Sequence, residues 1–181
     1  PNHPTISFKF CPSFRPDKAI NITKPGFAEY IRKLEAVTGK EIKCARCVCE
    51  ALTDRLEYFA SLGCRASDHG LDYIPFREYT MQEAGAAFKK AMAGEPLTLE
   101  EAEKYQTAIL MHLGKEYHRL GIVMQIHYSC KRNNNARMFA KMGPATGFDM
   151  IAQNNCSGSI ADFLSALDVT GECPKTIFFS L

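Results

Sequence analysis

Three short polar clusters carry the side chains of this sequence that are best suited to chemistry. They are residues 14–18 (FRPDK), 65–70 (RASDHG) and 127–135 (HYSCKRNNN). An arginine fork can hold a carboxylate through two parallel hydrogen bonds, and a carboxylate beside a histidine can pass protons near neutral pH. The clusters therefore predict a site for a small polar substrate with an anionic group. Their ionisable residues are the cations Arg15, Lys18, Arg65, Lys131 and Arg132, the carboxylates Asp17 and Asp68, and the histidines His69 and His127.

Each of these residues also has a purely structural interpretation. Arg15 can be a solvated loop cation, and Asp68 can cap a turn because Ser-Asp-His-Gly is good turn chemistry. His127 can be a hydrogen-bonded core histidine, and His69 is equally suited to a site or to a turn. The asparagines at 133–135 can be a polar loop whose residues tolerate left-handed backbone angles. The residues by themselves leave these alternatives open.

Metal-binding patterns are weak in this sequence. Among its eight cysteines, Cys44 and Cys47 form a C-x-x-C, but no second pair follows at zinc-finger spacing. The favoured interpretation is that the cysteines are buried and reduced on a helix face, with metal or redox chemistry as the alternative. His112 and His118 are six positions apart, so they do not share a helix face as i,i+4 ligands would, and we expect them to be structural.

Predicted strands place the polar clusters at one edge of a sheet. Because parallel strands need helical crossovers, strands separated by helices predict a parallel α/β sheet. The first three strands each run into one polar cluster, and ligands of such folds bind at the carboxyl ends of the strands, so the clusters should converge. Apolar patterns predict strands at residues 5–10, 63–66, 122–127 and 175–180, and helices at 27–37, 45–62, 81–93, 99–120 and 159–167, with capping boxes at 80–83 and 98–101.

Composition excludes several classes of protein. With 181 residues, 46% hydrophobic and 23% charged, the chain has the make-up of one ordinary globular domain. A net charge of +2 gives no strong field for nucleic acid, and no glycine-rich phosphate-binding motif follows a strand. No apolar run approaches the ~20 residues of a membrane span, and no signal segment is visible. We therefore expect a cytoplasmic protein with no nucleic-acid or membrane partner.

The sequence resembles the uronate isomerase family, also called glucuronate isomerase, of the amidohydrolase superfamily. The similar stretches occur in the family's order along nearly the whole chain, which makes the set more specific than any one of them. They are SFRPDKAINI at 13–22, GCRASDHGLD at 63–72, GIVMQIHYSCKRNNN at 121–135, GFDMI at 147–151 and PKTIFFSL at 174–181.

The resemblance implies a fold, a reaction and roles for individual residues. The fold is a (β/α)8 (TIM) barrel of the metal-dependent hydrolase type. The reaction is aldose–ketose isomerisation of D-glucuronate to D-fructuronate and of D-galacturonate to D-tagaturonate, with a divalent metal, commonly zinc. By resemblance, Asp68 and His127 are catalytic, and Arg15, His69 and Arg132 bind the hexuronate substrate.

Departures from the family pattern predict an incomplete unit. The family's metal ligands are an H-x-H pair after the first strand and an aspartate after the last, and this sequence contains no H-x-H. We expect residues 1–181 to form one partial barrel domain, the fourth to seventh strands with helical insertions. The predicted fragment is inactive alone and binds no metal, and its unpaired edges favour a homo-oligomer. The alternatives are another metal-dependent hydrolase of the superfamily, or a non-catalytic folding or association unit.

Overall fold

Helices and short strands alternate along the described part of the chain, residues 10–144, 146–152 and 156–180 of a computed structural model. In chain order the elements are α1 (Asp17–Ile20), α2 (Phe27–Thr38), α3 (Ala45–Ser61), β1 (His69–Gly70), α4 (Met81–Ala93), α5 (Leu99–Leu120), β2 (Met124–Tyr128), β3 (Cys130–Lys131), α6 (Ala136–Met142), β4 (Met150–Ile151), α7 (Ser157–Asp168) and β5 (Thr176–Ser180). None of the helices in these residues has the length and apolarity needed to cross a bilayer.

A parallel sheet with the strand order β1-β2-β5 confirms the predicted α/β class. Gly70 lies opposite His127, and His127 lies opposite Phe179, so these three residues form one row across the strands. An isolated parallel bridge between Phe14 and Ser67 adds the first segment beside β1. The segments therefore follow one another across the sheet in their order along the chain, and their carboxyl ends share one edge.

Capping boxes define the two helices that separate β1 from β2. In α4 the hydroxyl of Thr80 accepts the N–H of Glu83, whose side chain in turn accepts the N–H of Thr80. Thr98 and Glu101 make the same reciprocal pair in α5, and the bounds predicted for both helices are confirmed. Satisfying the free N–H groups of the first turn in this way stabilises each helix where the sequence begins it.

One face of the sheet packs on the helices. In β2 the side chains of Met124 and Ile126 are fully buried in the core, whereas that of His127 is exposed. On β5, Ile177 and Phe179 are 43% and 40% exposed. Because side chains alternate between the two faces of a strand, the face opposite the helices is open in the described part of the chain.

The second predicted strand is wrong in position. Residues 63–66 were expected to be extended, but Gly63 takes φ 91° in the turn that ends α3. There the N–H of Cys64 bonds to the carbonyl of Phe59, so this stretch belongs to the helix terminus. Parallel pairing starts only at Ala66, and β1 follows at His69–Gly70. The first predicted strand, residues 5–10, lies outside the described residues except for its last residue, Phe10.

The polar segment after β2 contains structure that the sequence did not predict. β3 and β4 form a two-stranded antiparallel pair, and α6 lies between them. Ser129 and Asn133 have φ near 60°, at either end of β3, which confirms that this loop uses left-handed backbone angles at an asparagine. These bends turn the chain away from the parallel sheet and bring residue 132 back over its edge.

Candidate functional site

The three polar clusters meet at the carboxyl edge of the sheet, as predicted. Nη1 of Arg15 donates to Oδ2 of Asp68 at 2.8 Å. The other carboxylate oxygen of Asp68, Oδ1, lies 3.3 Å from Nε2 of His127. Asp68 therefore lies between an arginine from the first segment and a histidine from β2, and its Oδ1 makes no hydrogen bond with the described residues. The structure brings together three residues that are far apart in sequence, with a carboxylate between a cation and an imidazole.

Two carboxylates hold the guanidinium of Arg15. Its Nε donates to Oδ2 of Asp17 at 2.9 Å, while Nη1 donates to Asp68. Burial lowers the pKa of Arg15, but the two aspartates outweigh it and the net pKa is raised. The side chain remains 50% exposed, so its fork is fixed in direction and still open to a ligand.

Asp17 is the more deeply placed carboxylate, at the first residue of α1. Oδ2 also accepts the backbone N–H of Gly70 at 2.9 Å, and Oδ1 lies 3.2 Å from Nδ1 of His69. Burial raises the pKa of Asp17, but His69, the Gly70 N–H and Arg15 together lower it further, so the net pKa is below its ordinary value. This carboxylate is a fixed anchor for three neighbours.

His69 lies beneath the exposed edge. Its side chain is 0% exposed, with Nδ1 against Asp17 and Nε2 3.0 Å from the hydroxyl of Tyr117. Because a carboxylate only accepts, Nδ1 is the donor to Asp17, while Nε2 shares a hydrogen bond with the Tyr117 hydroxyl. Both ring nitrogens are engaged, so this placement does not support the predicted direct contact of His69 with substrate. It favours orientation of Asp17 instead.

Arg132 approaches the site from the β3–β4 pair. Its Nη1 lies 3.3 Å from Oδ2 of Asp149, whose Oδ1 accepts the N–H of Asn133 at 2.9 Å. A Cβ placed on Gly70 would collide with Nη2 of Arg15 and would lie 3.5 Å from Nη2 of Arg132. Two guanidinium groups thus converge over a glycine, and the missing side chain leaves room for them. This arrangement suits a carboxylate ligand.

His127 has an aromatic neighbour on the next strand. Its ring stacks on Phe179 with centroids 4.5 Å apart and an interplanar angle of 12°. The pairing register places the two residues opposite each other, which explains the stack. The stack on Phe179 fixes the plane of the His127 ring. Nε2 then faces Asp68, and nearly half of the side chain stays exposed.

Sequence reasoning missed several residues of this network and included others that the structure leaves out. Three of the predicted cations form no ion pair with the carboxylates of this network within the described chain: Lys18, Arg65 and Lys131. Asp149 and Phe179 lay in stretches that resemble the family, so that signal was present. Tyr117 stood on a helix face with no signal for a site. The residues missed as site members are Tyr117, Asp149 and Phe179, whereas Asp17 was named among the carboxylates of the clusters without its anchoring role.

The ionisable residues of the cluster do not form a metal centre. Among the described residues, no group of three or more His, Cys, Asp or Glu side chains is arranged to hold a metal ion. Both aspartates direct an oxygen to the guanidinium of Arg15, and a cation in that position competes with a metal for the same oxygens. The geometry suits an anionic ligand better than a cation.

Comparison with known proteins places the whole chain in one group. A family model described as glucuronate isomerase matches residues 2–181. The uronate isomerase of Clostridium acetobutylicum is 44% identical over 177 residues, which cover 98% of this chain and 38% of that protein. The uronate isomerase of Lachnospira eligens is 43% identical with the same coverage. The chain thus spans a little over a third of the length of these relatives.

Solved structures give the same result for the fold. The crystal structure of uronate isomerase from Thermotoga maritima matches with a TM-score of 0.85 and 29% identity, over 93% of this chain and 37% of that one. Glucuronate isomerase from Caulobacter crescentus matches with a TM-score of 0.79 and 25% identity, over 94% of this chain and 35% of that one. The parallel sheet and its helical layer therefore have the arrangement found in these two enzymes.

Proposed function

The chain belongs to the glucuronate isomerase family, and from that membership we propose that the protein interconverts aldose and ketose forms of a hexuronate. The substrates are D-glucuronate, which becomes D-fructuronate, and D-galacturonate, which becomes D-tagaturonate. One observation carries the proposal: over the matched residues, Arg15, Asp68 and His127 come from three separate segments and meet at one sheet edge.

Two arginines bind the substrate carboxylate in this proposal. Nη2 of Arg15 and Nη2 of Arg132 both approach the space over Gly70. A guanidinium presents planar N–H groups that match the two oxygens of a carboxylate, and two such groups compensate its charge better than one. Each arginine is already oriented by an aspartate, so little side-chain freedom is lost when the hexuronate binds.

Asp68 and His127 move the proton. Aldose–ketose isomerisation transfers a proton between adjacent carbons, C2 of the aldose and C1 of the ketose, and needs a group that accepts the proton and returns it. The Asp68 carboxylate and the His127 imidazole lie 3.3 Å apart, so together they can take up and deliver it. Arg15 holds Asp68 from one side, and Phe179 holds the His127 ring from another.

Asp17, His69 and Tyr117 act as positioning residues. Tyr117 fixes the ring of His69, His69 fixes Asp17, and Asp17 holds Nε of Arg15. The chain of hydrogen bonds runs from the buried helix α5 to the exposed sheet edge. This chain of hydrogen bonds keeps the guanidinium of Arg15 in one orientation. Without it, Arg15 would be a loop side chain free to rotate.

The sheet is proposed to be part of a (β/α)8 barrel of the amidohydrolase type. Parallel sheets are normally covered on both faces, whereas Ile177 and Phe179 are exposed here on the face opposite the helices. Further strands of the whole protein would cover that face, since the chain matches 38% of its relatives' length. Any divalent metal of the whole protein, such as zinc, would then be held by residues outside this segment. Association into homo-oligomers stays a prediction.

The test is turnover by the purified full-length protein. It is incubated with D-glucuronate and, separately, with D-galacturonate, and the ketose product is identified by NMR. We expect conversion of at least one hexuronate and a strong loss in the Arg15→Ala variant. Absence of ketose from both sugars, in a folded protein supplied with divalent metal, would contradict the proposal.

A further inference from the structure

The C-x-x-C pair stands outside the network described above and has an unusual geometry. Sγ of Cys44 and Sγ of Cys47 are 2.7 Å apart, and neither sulfur is in a disulfide bond. We infer that Cys44 and Cys47 are a redox-active dithiol that closes to an intramolecular disulfide by exchange with a small-molecule disulfide. The sequence favoured buried, reduced cysteines at this position, but both side chains are only half-buried.

The beginning of α3 explains why the two sulfurs meet. Cys44 is the N-cap residue, with extended backbone angles of φ −155° and ψ 165°, and its sulfur accepts the backbone N–H of Cys47 at 3.3 Å. This cap bends the Cys44 side chain over the first helical turn, directly onto Cys47. A disulfide bond measures about 2.05 Å, so closure needs the sulfurs to approach by only about 0.6 Å.

The surroundings make Cys47 the attacking thiol of the pair, because burial and the hydrogen bond with Cys47 raise the pKa of Cys44. Burial raises the pKa of Cys47, but hydrogen bonds with Cys44 and with the backbone of Lys43 outweigh it, so the net pKa is lowered. By contrast, burial raises the pKa of Cys49 to about 12, and its side chain is 5% exposed. The thiolate is the nucleophile in exchange, so the accessible pair reacts while Cys49 stays a thiol.

The exchange is balanced without any further reagent. One thiolate of the pair attacks a disulfide RSSR, forms a mixed disulfide and releases RS⁻, which takes a proton. The second cysteine then loses its proton and attacks the mixed disulfide, which forms the Cys44–Cys47 bond and releases a second thiol. The two cysteines are oxidised by two electrons, and RSSR is reduced to two RSH.

Trypsin provides a direct readout, because Arg46 lies between the two cysteines and cleavage also follows Lys43 and Arg55. The native protein is incubated with oxidised glutathione, free thiols are blocked, and the digest is analysed by mass spectrometry. We expect peptide 44–46 to be joined to peptide 47–55 in roughly half or more of the molecules, reversibly with dithiothreitol. Exposed Cys11 is replaced by serine in every variant to prevent cross-linking between chains.

Two further variants decide between the possible outcomes. Cys49→Ala should leave the joined peptide in place, because Cys49 is the other cysteine of peptide 47–55. Cys44→Ser removes the resolving partner, so glutathione should stay attached to Cys47 as a trapped mixed disulfide. Loss of the joined peptide in Cys49→Ala, or no glutathione on Cys47 in Cys44→Ser with the fold intact by circular dichroism, would overturn the inference. So would a joined peptide that forms only after denaturation.

Discussion

Nη1 of Arg15 and Oδ2 of Asp68 are 2.8 Å apart, although 53 residues separate them in the chain. This bond crosses from the first segment of the sheet edge to the second. It orients the carboxylate whose other oxygen faces His127, and it fixes the arginine that we propose as a carboxylate ligand.

Replacing Arg15 by alanine should lower kcat/KM of the full-length enzyme by at least about 2 kcal/mol in transition-state stabilisation, roughly thirtyfold. The variant loses a charged ligand for the substrate and leaves Asp68 without its guanidinium partner. Steady-state kinetics with D-glucuronate measures the effect. The matched control is Arg65→Ala, which removes the same charge from an exposed position and should change kcat/KM by less than about twofold. Equal kinetics in the two variants would rule out the role of Arg15.

A methyl group on Gly70 should disturb binding without unfolding the protein. The new Cβ would occupy the position of Nη2 of Arg15, the end of a flexible side chain that can move aside. We expect Gly70→Ala to raise KM at least about fivefold, since the two guanidiniums no longer converge on the same carboxylate. The control, Gly85→Ala, lies in open space on α4 and should stabilise that helix by about 0.5–1 kcal/mol with unchanged KM. An unchanged KM in Gly70→Ala would show that the arginines do not share a ligand.

Removal of the Tyr117 hydroxyl should cost stability. In Tyr117→Phe, Nε2 of the fully buried His69 loses its 3.0 Å hydrogen bond. Leaving such a group unsatisfied costs about 1–3 kcal/mol of the free energy of unfolding, which urea denaturation measures. Tyr58→Phe, at a side chain that is 50% exposed, should change it by less than about 0.5 kcal/mol. If Tyr117→Phe and Tyr58→Phe had the same free energy of unfolding, the Tyr117–His69 hydrogen bond would make no contribution to stability.

The contribution of Asp17 should depend on pH in a definite direction. Its pKa in the folded protein is below its ordinary value of 3.8, so the folded state favours the carboxylate form. The associated stabilisation is fully present above the unfolded pKa and is lost as pH falls through the folded pKa. Asp17→Asn should therefore destabilise the protein near neutral pH. The difference in free energy of unfolding between this variant and the wild type should shrink below about pH 4.

Urea denaturation at neutral and acid pH measures that gap. Asp54→Asn is the control, because its ion pair with Lys40 is on the surface and contributes little at any pH. A gap between Asp17→Asn and the wild type that stays constant, or widens on acidification, would contradict the assignment of Asp17 as an ionised anchor.

The local elements of this fold were open to prediction because their signals lie within a few residues. The capping boxes Thr80–Glu83 and Thr98–Glu101 begin α4 and α5 where the sequence indicates, and glycines end both helices with positive φ. The short strand β1 was misplaced because its two residues carry little pattern. It is defined by parallel pairing with β2, which is a long-range interaction.

The sequence by itself determined which segments of the chain meet at the sheet edge. Strands that each run into a polar cluster predict convergence, and Arg15, Asp68, His127 and Arg132 were named on that ground. Only the tertiary structure decided how they are held. Whether a histidine faces solvent or a buried tyrosine depends on where a distant helix packs, and so His69 lies against Tyr117 of α5 at 0% exposure. Hydrogen-bond partners across 48 residues leave no local pattern in the chain, because packing of the whole core brings them together.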